Sequence, residues 1–511
     1  MVVESQSDLR SPLFGPEDEA RWKPEPVERL CIDEMLTRHC GEFGPWQLKH
    51  FLLTSMAWAL EAFHTMVVIF ADREPAWRSS VAGVRSLCGL EPGSWEWVDG
   101  PGSSTVSEFG LICSEKYKVG LVQALFFAGC MIGAGVFGHL SDSKLGRKGS
   151  LSVVCLLNAI FGCLTALSPN YAVYAVLRLL TGFSTGGVGL CSFVLSTEPV
   201  GPTKRGLAGM STFYFFSGGI AALAGIAAFF TASWRTLYVA TSLPSLAFLL
   251  TVLPFVSESP RWCLIRGKIV QATNIMRSIA RDNGRPMPDN VALALDEDKN
   301  GNSGSEKTGS LIDVVRSRVT RTRLFLAVSI NFFCSVVYYG LSLNVVNLGT
   351  NLNLNVFLNS VAEMPAYLLT ALLLDRFGRK PLSVGTQWFS GAFCVIGFCL
   401  KGYGVWKTVR MVCGILGIFG MAATYNLLFI YTVELFPTVV RNAALGSATQ
   451  AAQMGAILAP LIVVLGERVP FVVFGACGIA GGALALLLPE TLNRPLYDTM
   501  AGMVEGESCV A

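Results

Sequence analysis

The chain has 511 residues, 52% of them hydrophobic and only 15% charged, with a mean hydropathy of +0.51. A soluble chain of that length would divide into several domains, but this composition belongs to the polytopic membrane class. The formal net charge of +3 comes with no basic stripe, which argues against a nucleic-acid partner.

Residues 1–48 are polar and carry both signs, as at Glu17, Asp18, Glu19, Arg21 and Lys23. They lack the pattern of a secretory signal and read as a mobile cytosolic leader. A membrane helix needs about 20 mostly apolar residues. Twelve segments qualify, at 49–71, 119–141, 150–168, 171–197, 206–230, 234–256, 322–346, 351–374, 381–401, 408–433, 441–465 and 468–489. The expected fold is an all-α membrane protein of twelve transmembrane helices in two six-helix pseudo-repeats. The first bundle spans 49–256 and includes a non-cytosolic loop at 72–118; the second spans 322–489. A central loop, 257–321, joins them, and a tail follows at 490–511. Within that loop, 262–282 and 311–323 look like amphipathic surface helices around a Gly/Ser-rich linker at 294–309.

Lys and Arg set the orientation. The turns after the second, fourth, eighth and tenth segments hold Lys144, Arg147, Lys148, Lys204, Arg205, Arg376, Arg379, Lys380 and Arg441. The central loop holds twelve basic residues between Arg261 and Arg323, while the opposite turns hold Arg235 and Arg468 alone. Both termini and the central loop therefore face the cytosol. Most of the fifteen cysteines lie in apolar segments and act as small hydrophobes. Cys88 and Cys113 fall in the first loop and can form one disulfide there. No Cys/His cluster has metal spacing, no cofactor motif is present, and the chain has no Asn-x-Ser/Thr sequon.

Charged residues repeat across the two halves. Asp142, Arg147, Arg178, Glu198, Arg205 and Glu258 return in order as Asp375, Arg379, Arg410, Glu434, Arg441 and Glu490, at offsets of 232 to 236 residues. Duplicated membrane units of this kind build many secondary transporters. The turns around Asp142-Ser-Lys-Leu-Gly146-Arg147-Lys148 and Asp375-Arg-Phe-Gly378-Arg379-Lys380 each offer an acid at a helix end, a glycine to turn on, and two bases. Glu198, Glu258, Glu434 and Glu490 are the acids that can close a charge network with them. All twelve repeated charges form a candidate latch, made in one transport state and broken in another.

These turns resemble the signature loop of the major facilitator superfamily. Thr197-Glu198-x6-Arg205, Glu258-Ser-Pro-Arg-Trp262, Tyr339-Gly-Leu341, Glu363-x-Pro365, Glu434-Leu-Phe-Pro-Thr438 with Arg441-Asn442, and Pro489-Glu-Thr491 narrow the resemblance to the organic cation/anion/carnitine transporter family. The one-residue insertion before Gly146 and the run Ile69-Phe-Ala-Asp-Arg-Glu-Pro75 look most like its plant branch. The resemblance covers about residues 45–495. Sugar porters share some motifs, but Asn331-Phe-Phe-Cys-Ser-Val-Val-Tyr338 lacks their paired glutamines.

Polar groups inside a membrane cost about 2.5–3.5 kcal/mol when ionisable, so they usually face a cavity or a partner. By that criterion Glu61, His64, Glu363, Asn426, Gln450 and Gln453 are substrate-site candidates. Glu61 and His64, three residues apart, are expected on one face. Aromatic rings can hold an ammonium group, and Phe63, Tyr214, Phe215, Tyr425 and Phe429 are available as walls. The resemblance implies that Glu363 and Tyr338 line the central cavity. It also brings two departures: Gln453 stands where cation carriers have Asp and anion carriers have Arg, and Gly186 and Gly189 replace Lys and Trp.

The leading expectation is a monomeric secondary transporter for organic cations or carnitine-like zwitterions, in a vacuolar or plasma membrane. Its partners are a small organic solute, the lipid bilayer and, if transport is coupled, protons. A transporter of an organic anion, hormone or other metabolite stays open, and a non-transporting sensor is less favoured. With no nucleotide loop, metal cluster or nucleophile with its base, the chain does not read as an enzyme.

Overall fold

The computed structural model describes residues 28–79, 87–91, 93–143, 145–230, 232–285, 287–288, 290–294, 311–348, 351–400, 404–492 and 503. The expected linker from 295 on, the leader before 28 and the tail after 492, apart from residue 503, lie outside them. Among the described residues twelve long helices follow one another. The first half has α1 (Pro45–Met66), α2 (Tyr117–Asp142), α3 (Gly146–Thr165), α4 (Tyr171–Thr197), α5 (Pro202–Phe229) and α6 (Trp234–Thr251). The second has α7 (Arg318–Leu343), α8 (Leu352–Phe377), α9 (Arg379–Cys399), α10 (Val405–Glu434), α11 (Thr438–Val463) and α12 (Val469–Ala485). Among the described residues ten helices are long and apolar enough to cross a membrane, and α12 is apolar but shorter. Helix α11 is outside that set; Ser447, Thr449, Gln450 and Gln453 run along its middle.

The halves pack alike. Helix α2 lies along α4 and α8 along α10; α1 lies on α5 and α7 on α11. The α2–α4 contact is backbone on backbone. Gly133 faces the Phe183 carbonyl and Gly186 faces the Cys130 carbonyl, where any side chain would collide with the other helix. Gly186 is thus explained by helix approach. Between the halves, α2 meets α11 and α5 meets α8, contacts that the repeat exchanges.

Two parts depart from expectation. The leader is built into the fold from residue 28 onward. Strand β1 (Glu28–Leu30) pairs in parallel with a strand at Val291–Leu293 in the central loop. Leu30, Ile32, Met35 and Leu36 share a core with Trp262, Met276 and Ile279, and that burial removes the mobility expected of a polar segment. Asp33 pairs with Arg205 at 2.7 Å and also with Arg261, tying the leader to the α4–α5 turn and the loop. Helix α1 begins at Pro45, a residue suited to a first helical turn.

The amphipathic helices of the central loop also differ. The first is split at Gly267, which sits at φ +71°, into Pro260–Ile265 and Ile269–Asp282. The second is confined to Leu311–Arg316, because residues from Arg318 on continue into α7. On the other face, the 72–118 loop carries an antiparallel pair, Trp77–Ser79 with Trp95–Trp97, and a Cys88–Cys113 disulfide. It is docked on the bundle. Thr105 and Tyr174 donate to Asp72 at 2.6 and 2.7 Å, and Trp234 donates to Glu108 at 2.7 Å.

Candidate functional site

The basic turns have matching geometry. Gly146 and Gly378 adopt φ of +79° and +91°, a left-handed conformation that favours glycine. The turn points the first free N–H groups of α3 and α9 at an acid from the far end of each half. Glu258 accepts from the Arg147 and Lys148 amides, each at 3.1 Å. Glu490 accepts from the Arg379 and Lys380 amides at 2.9 and 3.0 Å. Each carboxylate satisfies orphan donors and faces the positive end of a helix dipole. Burial alone would raise the Glu490 pKa, but four backbone donors outweigh it and hold the carboxyl below its usual range.

The arginine side chains close the network. Arg147 reaches Glu198 at 3.0 Å and Asp142 at 2.7 Å. Arg379 grips Glu434 through Nε at 2.9 Å and Nη2 at 3.0 Å, with Asp375 at 3.4 Å. Eight of the twelve repeated charges therefore meet in two equivalent clusters.

The other four do not join them. Arg178 and Arg410 lie near the opposite ends of α4 and α10, because twenty or more residues of helix separate them from Glu198 and Glu434. Buried Arg178 donates to the His64 carbonyl and Gln123 at 3.1 and 2.8 Å and covers the Phe126 ring, while Arg410 pairs with Glu467 at 2.9 Å. Arg205 turns to Asp33, and Arg441 donates to the Val433 and Phe436 carbonyls.

The centre of the bundle is organised around Glu363 on α8, which is 1% exposed. Three hydroxyls converge on its Oε2: Ser217 of α5 at 2.5 Å, Tyr367 one turn along α8 at 3.0 Å, and Tyr338 of α7 at 3.2 Å. Serine and tyrosine satisfy the carboxylate without neutralising it. Around it runs a continuous set of rings. Tyr338 stacks on Tyr425 of α10 with centroids 5.0 Å apart, and Tyr425 also meets Tyr339 and Phe213. Phe213 continues to Trp58 of α1, and Trp58 to Phe193 of α4. Besides Phe213 with Tyr425, rings bridge the halves toward both faces: Phe193 meets Phe429 toward the basic-turn ends of α4 and α10, and Phe127 meets Tyr339 nearer the opposite face. The Asn426 amide adds a 3.5 Å contact to the Met210 carbonyl across the same boundary.

Of the predicted wall residues, Tyr338, Tyr425, Phe429 and Tyr214 join this set, Tyr214 through Tyr367. Phe63 is buried in the core of the first half, and Phe215 packs on Phe51 away from Glu363. Gln453 is half-buried on α11 and Gln450 is exposed.

Glu61 and His64 are not a bonded pair. Glu61 Oε2 and both His64 nitrogens have no hydrogen-bond partner. The Glu61 carboxylate lies beside Gly189 of α4, whereas the His64 ring lies by Gly162 of α3. Three residues along a helix leave two side chains about 60° apart on one broad face, and here that offset sends the two to different neighbours. Ser217, Tyr367, Trp58, Phe193 and Phe213 were not singled out from the sequence. Tyr367 was within reach of it, four residues after Glu363 on one helix face; Ser217 carries no local signal.

The sequence from 86 to 501 matches the sugar (and other) transporter family. The chain is 68% identical over 508 residues to organic cation/carnitine transporter 4 of Arabidopsis thaliana, covering 98% of this chain and 96% of that one. It is 34% identical to organic cation/carnitine transporter 2 of the same plant, over 92% and 93% of the two chains. Among solved structures, the inward-open xylose transporter XylE from E. coli superposes with a TM-score of 0.65 at 17% identity, covering 88% of this chain and 98% of that one. At that identity the likeness carries the fold alone.

Proposed function

This chain belongs to the sugar (and other) transporter family, in its organic cation/carnitine transporter branch, and on that premise we propose which solute it carries and how. It moves small organic cations, or net-neutral zwitterions of the carnitine type, by alternating access between its two halves. The observation that carries this is Glu363: a buried carboxylate between the halves, walled by tyrosines, with Oε2 held by neutral donors and Oε1 engaged by none of them. An ammonium group at Oε1 would find a counter-charge and ring faces together; cation–π attraction is worth about 2 kcal/mol or more when desolvated. The paired basic-turn clusters supply the latch, made and broken as the halves rock.

The relatives' names point to the same solutes. Glu61, His64 and Glu363 are the groups available to carry a coupling proton. The positive-inside pattern favours cytosolic termini, the two halves suffice for a working monomer, and a vacuolar or plasma membrane is the proposed site. Neutral Gln453 favours, as a second reading, an organic anion or hormone as the solute.

The test is uptake of labelled tetraethylammonium and carnitine into vesicles bearing the purified chain, with and without an imposed pH gradient. Saturable uptake of either is expected, and a gradient response would put the membrane carboxylates on the proton path. Uptake of neither by folded protein would overturn the reading in favour of anions.

A further inference from the structure

The leader crosses the turn between α4 and α5, and that turn carries an acid of the first latch. Glu198 opens the turn; its carboxylate takes Arg147, and its carbonyl accepts from Arg261 Nε at 3.4 Å. Arg205, at the start of α5, donates to the Val200 carbonyl at 3.0 Å. In the second half Arg441 makes the matching contact to the Phe436 carbonyl at 3.3 Å, so this bond belongs to the repeat. Asp33 lies outside the repeated set. It comes from the leader, and its Oδ1 meets both guanidiniums, Arg205 at 2.7 Å with Arg261 alongside.

The leader has anchors of its own on both sides of Asp33. Gly201 donates to the Glu42 carbonyl at 2.9 Å, and the Thr203 amide and hydroxyl donate to the Glu42 carboxylate, the amide at 3.0 Å. Any side chain at residue 201 would strike Glu42, so Gly201 lets the leader lie directly on the turn. Leu30, Ile32, Met35 and Leu36 hold the other side, in the core they share with Trp262 of the Pro260–Ile265 helix. Asp33 is thus presented to the two bases by a segment that docks independently of the ion pairs.

We propose that Asp33 is a positioning residue for transport: it neutralises Arg205 and Arg261 together and so leaves Glu198 to Arg147 in the state where the latch is made. This rests on the latch reading above and extends it to the leader. Two guanidiniums at one oxygen repel each other unless that oxygen is charged. Without the acid, Arg261, already on the Glu198 carbonyl, would turn to the Glu198 carboxylate and compete with Arg147 for it. The leader therefore sets how firmly the first latch closes.

The test measures three quantities in the full chain. They are uptake of labelled tetraethylammonium by vesicles, equilibrium binding of that solute, and the distance between spin labels at Leu145 and Lys204. The labels flank the Arg147–Glu198 contact and need no solute. Asp33 and the two arginines have side chains between 26% and 36% exposed, so each pair is partly screened. In D33N turnover is expected to fall about threefold to tenfold, as for loss of two such pairs, with binding weakened less. The label distance is expected to lengthen and spread, and D33E, which keeps the charge, to restore both. R261Q removes one of the two bases, so D33N is expected to cost less on R261Q than on the unaltered chain. It is expected to cost less on E198Q as well, where the grip it protects is already gone. A merely structural loss would lower binding and turnover alike and ignore these backgrounds. An unchanged label distance in D33N overturns the proposal whatever solute is carried, and so does full additivity of D33N with E198Q. Faster hydrogen exchange over residues 28–40 in D33N would mean that the leader had come away, and would overturn it too. If E198Q itself leaves distance and turnover unchanged, the latch reading fails and Asp33 falls with it. If E198Q acts and D33N does not, only the role of Asp33 falls.

Discussion

Ser217 on α5 donates a 2.5 Å hydrogen bond to Glu363 on α8, and that bond crosses the boundary between the two halves. The acid proposed to receive an organic cation is therefore also part of the contact between the halves. An ammonium group seated at Oε1 would draw on the same carboxylate charge that Ser217 binds at Oε2, and so would weaken a contact between the halves. On the proposed reading, binding and movement would be coupled through one side chain.

Glu363→Gln keeps the shape and the tyrosine contacts but removes the charge. Contacts to a charged group contribute about 1.5–3 kcal/mol, so cation uptake efficiency should fall about tenfold to a hundredfold. Protein abundance and the size-exclusion profile should not change. Normal uptake by the folded variant would remove Glu363 from the site.

Ser217→Ala deletes the cross-boundary donor and leaves Tyr338 and Tyr367 in place. Loss of about 1–2 kcal/mol should shift the closed-to-open population about fivefold to thirtyfold toward separated halves. Distance distributions between labels on α5 and α8 would report the shift, and an unchanged distribution would show that the bond does not hold the boundary.

The acids around Arg147 are not equivalent: the Glu198 side chain is 16% exposed and Asp142 71%. Exposed pairs contribute about 0.2–1 kcal/mol, so Asp142→Asn should slow turnover by no more than about fivefold. Glu198→Gln and Arg147→Ala should slow it more, with equilibrium solute binding weakened less than turnover. Selective loss of binding would mean that the turn contacts the solute.

Glu490 gives a pH dependence with a defined sign. Its pKa is lowered in the fold, against burial, by the amides of Leu492, Arg379, Lys380 and Thr491. Its stabilising contribution is thus present above the ordinary Glu value of about 4.3 and is lost as pH falls through the lower folded value. Thermal melts of the unaltered protein and Glu490→Gln should differ at pH 7 and converge at more acidic pH. A gap that stayed constant down to pH 3 would contradict this.

Much was legible in the chain because a membrane enforces simple rules. Apolar length places the helices, and the recurrence of Arg147, Glu198 and Glu258 as Arg379, Glu434 and Glu490 exposes the duplication. Single residues were less legible. Arg178 and Arg410 repeat as faithfully as Arg147 and Arg379, yet lie at the other ends of their helices, since a repeat preserves spacing without naming partners. Residues 28–47 looked polar and loose, but their few apolar side chains meet a core supplied by residues 262–293.

By itself, then, the sequence determined the class, the twelve helices, the two halves and the turn motifs. Those are local or periodic properties, written in hydropathy and in the order of charges. Only the tertiary structure decided that Ser217 and Tyr367 hold Glu363, that Glu61 and His64 diverge, and that Gly189 houses the Glu61 carboxylate. Those contacts join helices far apart in the chain, and a hydroxyl or a missing side chain acquires its role only from what packs against it.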